Sequence, residues 1–327
     1  VNIKPAWPLG VLLTIALAVP AWLLGKFVPI VGAPIFAILI GMLLSFINRP
    51  YYLDQGIRFS GKKVLQYSIV FLGFSLDLSV VARVGAQSLA VMLFTLSAAF
   101  ITAYLVGKAL GLETNTKILI GVGTSICGGS AIAATAPVIE ADEKEVAFAI
   151  STIFLFNIIA VFLFPALGHL MRMSDDQFGL WAGTAINDTS SVVAAAFSYS
   201  DAAGRYATVV KLTRTLMIIP ITLVLAFTHK RSSGKQSGNI HFARIFPWFV
   251  LGFLAASLVR TVGILPAAAS AFLNDVGKFG ICVAMVAIGL NTKPRELIRN
   301  GMRPIVLGLA CWAAVAVISL AVQGVGI

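Results

Sequence analysis

The chain has 327 residues, 59% of them hydrophobic and 11% charged, with a mean hydropathy of +0.95. Soluble domains carry about 25% charged residues, so this composition excludes a soluble globular protein and predicts an all-α polytopic membrane protein. The formal charge of +11 is spread over loops, as topology signals are, and is not gathered into a nucleic-acid surface.

A membrane-spanning helix takes about 20 apolar residues. Full spans are predicted at about 8–25, 27–47, 64–83, 87–110, 145–171, 204–228, 244–264, 266–290 and 302–325. The first resembles a signal-peptide core, but a second apolar run follows at once, so it reads as a retained helix. Two further segments, about 117–139 and 178–200, are rich in Gly, Ser and Thr. The total is about 9–11 transmembrane segments in one domain covering 1–327, with a polar linker at 229–243.

Basic residues cluster at 49–63, 229–244 and 291–303. The positive-inside rule places all three in the cytoplasm. The N-terminus is then cytoplasmic and the C-terminus periplasmic, whether or not the two polar segments cross. Cys127, Cys282 and Cys311 all lie in apolar runs and read as reduced packing residues. No His-Glu-x-x-His, Gly-x-Ser-x-Gly or P-loop pattern occurs, so neither an enzyme nor a bound cofactor is expected.

The polar segments resemble each other. Gly123, Thr124, Ile126, Ser130, Ala134 and Ala136 recur sixty positions on as Gly183, Thr184, Ile186, Ser190, Ala194 and Ala196. Paired, interrupted apolar segments mark the binding site of many secondary transporters. The repeat units run from about 117–171 and 178–228. A fainter echo links Gly61, Lys62, Gly73 and Arg83 with Gly277, Lys278, Gly289 and Arg299. It predicts inverted-topology repeats, with the two polar segments interrupted or re-entrant.

Three ionisable residues fall within this region. Asp188 is central in the second polar segment, and Lys211 and Arg214 share one face of the next span. Each such residue costs roughly 2.5–3.5 kcal/mol at the bilayer centre, so each faces a cavity or a partner. One reading is a buried Asp–Lys or Asp–Arg pair that ties two segments together. The other is an anion site built from Lys211, Arg214 and the donors Thr124, Ser125, Ser130, Thr184, Asn187, Thr189 and Ser190. In that site Gly128 and Gly129 give close backbone approach, Cys127 lies within the same motif and is not read as a nucleophile, and Asp188 serves proton or ion coupling.

At these motifs the chain resembles the YeiH-like family of bacterial inner-membrane proteins, over nearly its whole length. The most specific stretches are 123–139, 183–195 and 210–220, with Ser125-Ile126-Cys127-Gly128 and the Lys211/Arg214 spacing matching the family. A family member with His-Glu differs from this chain at Asn187-Asp188, which keeps the acid but offers no imidazole relay. The resemblance implies a multi-pass inner-membrane permease for sulfate or a related sulfur oxyanion or sulfonate. The expected partners are a small inorganic or organic anion and the lipid bilayer, and a homodimer is compatible with this. The alternatives are an anion channel and a cation- or proton-coupled exchanger using Asp188.

Overall fold

The computed structural model describes residues 7–28, 31–47, 49–233, 246–292 and 301–324. Most of the linker expected at 229–243, and most of the basic loop at 291–303, lie outside these residues. The described chain is all helical. Six helices are long and apolar enough to cross a membrane, α1 (Trp7–Phe27), α5 (Leu78–Ala109), α8 (Glu143–Leu170), α11 (Asp201–Leu216, apolar through 225), α14 (Ala267–Asn291) and α15 (Met302–Gly324). Shorter apolar helices are α2 (Ala33–Leu44) and α13 (Trp248–Val262). Residues 54–73 form α3 (Asp54–Phe59) and α4 (Leu65–Gly73), joined by a π-helical stretch at Ser60–Val64. The predicted break between two spans at 83–87 is misplaced. The chain turns at 74–77, and Asp77, outside the helix, is the N-cap of α5.

Side-chain polarity runs opposite to that of a soluble fold. On α5, Leu93 and Ile101 are 62% and 59% exposed, while Ser88 and Thr95 are fully buried. An apolar exterior is what lipid contact selects, since buried hydroxyls can bond back to helix carbonyls, as both do here.

The helices form two packed groups. In the first, α14 packs on α2 and α4, and α1 on α2 and α3. Glycine makes the α2–α14 crossing possible. A Cβ on Gly41 would stand 2.3 Å from the Val286 carbonyl, and one on Gly289 2.4 Å from the Ile38 carbonyl. The second group holds α5 to α11 with α15. Here α5 packs on α15, and α11 packs on α9 (Asp175–Ala185) and α10 (Thr189–Tyr199).

Both polar segments are re-entrant hairpins. In the first, α6 (Thr114–Ser125) breaks at 126–128 and continues as α7 (Gly129–Thr135). Asn115 at the start of α6 donates to Glu145 at the start of α8, 3.1 Å away, so the hairpin leaves on the side where it entered. Glu145 belongs to a capping box with Asp142 that begins α8. In the second hairpin, Ser200 after α10 donates to Asp175 at 2.6 Å, and the Tyr199 hydroxyl donates to the Met173 carbonyl at 2.5 Å. Its two ends therefore also meet. With only α8 crossing between them, the hairpins enter from opposite faces, and units 114–170 and 175–216 are inverted.

Candidate functional site

The repeat aligns the two hairpin tips, Ile126-Cys127-Gly128 with Ile186-Asn187-Asp188, and in the structure the tips touch. Gly128 has φ +70°, and a Cβ there would lie 3.2 Å from the Asp188 Cβ. The positive φ strains any larger residue there, and the closeness would force Asp188 to give way by a few tenths of an ångström.

Each tip leaves helix carbonyls without intrahelical donors. Lys211 and Arg214, both fully buried, supply them. The Lys211 ammonium donates to the Ile126 and Ile186 carbonyls at 2.9 Å each and to the Asn187 carbonyl, which uses its three hydrogens. Arg214 Nε donates to the Ser125 carbonyl at 2.6 Å, while its Nη atoms donate to the carbonyls of Thr184 and Thr124. One side chain thus binds the carboxyl ends of α6 and α9 together. Among the described residues, neither cation forms an ion pair with Asp188.

Asp188 instead caps α10. Its Oδ2 accepts from the Ser190 N–H at 3.0 Å and from the Ser190 hydroxyl, and its own N–H donates to Asn157 Oδ1 at 3.2 Å. Asn157 lies on α8, so this bond ties the second tip to the helix between the hairpins.

A cavity of about 890 Å³ opens between the two helix groups and ends at the tips. Its floor comprises Cys127, Gly129, Ser130, Asp188, Thr189 and Ser190. Cys127 Sγ lies 3.0 Å from the Ser130 hydroxyl. Lys62 and Glu140 mark the mouth, on the face where the first hairpin enters. The amino ends of α7 and α10 therefore face the cavity, and the carbonyl ends of α6 and α9 face away toward α11.

The predicted site residues divide accordingly. Cys127, Gly129, Ser130, Asp188, Thr189 and Ser190 line the cavity. Lys211 and Arg214 lie behind the tips, not in the lining, and Thr124 and Ser125 present their carbonyls to Arg214. Thr184 bonds Ser319 on α15 at 2.6 Å. Among the described residues, the Asn187 carboxamide and the Thr124 hydroxyl are buried without a hydrogen-bond partner. Thr215, Gln66 and Lys62 also line the cavity. None of the three was read from the sequence as a site residue; a hydroxyl in an apolar span is the signal that could have found Thr215, whereas Lys62 counted only toward a basic loop.

On the opposite face a smaller cavity, about 380 Å³, is bordered by Trp22 and Lys26 of α1 and Phe197 of α10. Beside it Lys278 of the first group pairs with Asp201 of the second at 2.6 Å. The repeat signal had marked Lys278 but not this contact.

Opposed re-entrant hairpins meeting below a one-sided cavity define a polytopic membrane protein with inverted repeats. The chain belongs to the family described as conserved hypothetical protein 698, which it matches over residues 9–308. It is 47% identical to UPF0324 membrane protein FN0533 of Fusobacterium nucleatum, with 96% of each chain covered. It is 48% identical to UPF0324 membrane protein SAG1125 of Streptococcus agalactiae, covering 97% of this chain and 96% of that one. A UPF0324 membrane protein of Streptococcus mutans is 46% identical over 96% of each chain. No solved structure matches.

Proposed function

We propose that this protein is a secondary active transporter of a small anion, with sulfate or a related sulfur oxyanion or sulfonate as its nominal substrate. The observation that carries the reading is the polarity of the tips. A helix end bears about half a unit charge, negative at the carboxyl end and positive at the amino end. Two full cations on two carboxyl ends leave an excess of about one positive charge. The amino ends facing the cavity add up to about one more, and ionised Asp188 removes about one. The floor is therefore positive by about one charge, which suits an anion and opposes a bare cation. Neutralisation from behind, not direct contact, is the role this assigns to Lys211 and Arg214.

The cavity reaches the tips from one face, while the Asp201–Lys278 pair joins the two helix groups on the other. That asymmetry supports alternating access, in which one group rocks against the other around a central site. Under the positive-inside rule the open face is cytoplasmic, because Lys62 lies on it.

Asp188 supports a proton-coupled version. An anion on the floor sits beside this carboxylate, so protonation and anion binding favour one another. The other titratable groups facing Asp188 are Cys127 on the first tip and Lys211 behind it.

Counterflow of labelled sulfate into proteoliposomes tests the transporter reading, with Ala134→Trp, which fills the cavity from α7, as the blocked control. Saturable, trans-stimulated exchange lost in the control is the expected result. Flux that neither saturates nor shows counterflow would indicate a channel. Absence of exchange in folded wild type would remove sulfate and leave sulfonates to be assayed.

A further inference from the structure

We infer that the preferred substrate is an organic anion with an apolar body, such as an alkyl or aryl sulfonate or carboxylate, rather than a bare inorganic oxyanion. This inference rests on the anion-transport reading and names its substrate class.

The cavity is polar at its floor and at its mouth, and between them Gln66 and Thr215 are polar side chains on otherwise apolar walls. Above the floor the walls are Leu65 and Ile69 of α4, Phe154 of α8, Ile218 of α12 (Ile218–Ser233), Phe249 of α13 and Ile288 of α14. Both helix groups contribute to these walls. A hydrated inorganic ion gains nothing from such surfaces, because apolar walls offer no hydrogen bonds to replace its water shell. An alkyl or aryl body gains free energy with each apolar group it removes from water.

Size points the same way. One water molecule takes about 30 Å³ of liquid volume, so a five-atom oxyanion would occupy a small fraction of the 890 Å³ space. Cavities of roughly 300–1,000 Å³ with apolar walls and a few convergent polar groups are typical sites for organic ligands. Here the convergent groups are Ser130, Thr189 and Ser190, on a floor of net positive charge. The geometry sets an orientation, with the acidic headgroup at the hairpin tips and the hydrocarbon body toward the mouth. An occupant of this shape touches α4, α13 and α14 as well as the hairpins, so binding links the two groups that alternating access must move.

The test is a homologous series, methane- to hexanesulfonate, competing with labelled sulfate on the purified full-length protein in nanodiscs. Apparent affinity is expected to rise about fourfold per methylene until the chain reaches the mouth. Phe154→Ala together with Ile69→Ala should flatten that slope. A flat series in wild type, with sulfate still bound, would overturn the apolar-body inference and leave the anion reading standing. Equal slopes for n-alkylammonium ions would also overturn it, since the series would then report partition into lipid. No binding of sulfate or of any sulfonate to folded protein would overturn both.

Discussion

Arg214 is held by shape as much as by charge. Its planar fork reaches the Ser125 and Thr124 carbonyls on one hairpin and the Thr184 carbonyl on the other. A lysine there would gather its donors on one compact ammonium and could not match the separated donors with which the Arg214 fork covers these carbonyls. Arg214→Lys should therefore lose at least one buried, charge-assisted hydrogen bond and destabilise the fold by about 2–4 kcal/mol. Thermal unfolding in detergent would show it, and an unchanged melting temperature would refute the capping role. Asp188 is expected to behave differently. Asn caps helices nearly as well as Asp, so Asp188→Asn should unfold within about 0.5 kcal/mol of wild type. Anion affinity should be higher in Asp188→Asn than in the wild type, because the floor then loses a negative charge. Binding isotherms of the two proteins would reveal it, and equal affinities would refute a carboxylate beside the bound anion. The sequence places these three residues together but cannot name their partners. Carbonyl acceptors belong to every residue alike, so the cations read as ligands for a substrate when their bonds go to the main chain.

At the scale of elements, re-entrance has a direct experimental signature. Glu113 before α6, Glu140 after α7 and Arg172 after α8 are all exposed. In a background lacking native cysteine, cysteines at 113 and 140 should react with an impermeant maleimide from one face, and a cysteine at 172 from the other. If α6 and α7 crossed the membrane, 113 would pair with 172 instead. The hairpins were legible in the sequence because their tips align at a constant sixty-residue offset, and because small polar residues interrupt apolar runs there. The α4–α5 boundary was not legible. Residues 74–77 are Phe-Ser-Leu-Asp, a turn without Gly or Pro inside a continuous apolar stretch, so hydropathy gives no sign of it. The short helices α2 and α13 read as full spans for the same reason, since apolar flanking loops extend the hydrophobic run.

Across the whole molecule, the two helix groups meet polar group to polar group at Asp201–Lys278. With side-chain exposures of 57% and 16%, the pair is screened on one side only, and about 1 kcal/mol is a reasonable upper scale for it. A contact that weak is suited to breaking in the rocking motion proposed above for transport. Asp201→Asn should leave unfolding nearly unchanged but make position 33 on the smaller cavity's wall, as a cysteine, label at least severalfold faster from the face opposite Lys62. Exchanging the two charges, Asp201→Lys with Lys278→Asp, should restore slow labelling of the smaller cavity's walls. Fast labelling in the exchanged protein would mean that the pair does not hold the groups together.

The position of α11 after both hairpins also bears on how the protein is made. Each tip emerges from the ribosome with bare carbonyls, and the donors that cover them, Lys211 and Arg214, are translated later than either. Until α11 arrives, neither hairpin is comfortable in lipid, because uncovered main-chain acceptors are costly there. The first hairpin must wait longest, for the synthesis of some eighty-five residues between Ile126 and Lys211. Chains released before 211 are accordingly expected to be recognised as unfinished by membrane quality control, and those extending past 214 to be retained. The same two side chains that set the polarity of the site would then act as the last inserted piece in its assembly.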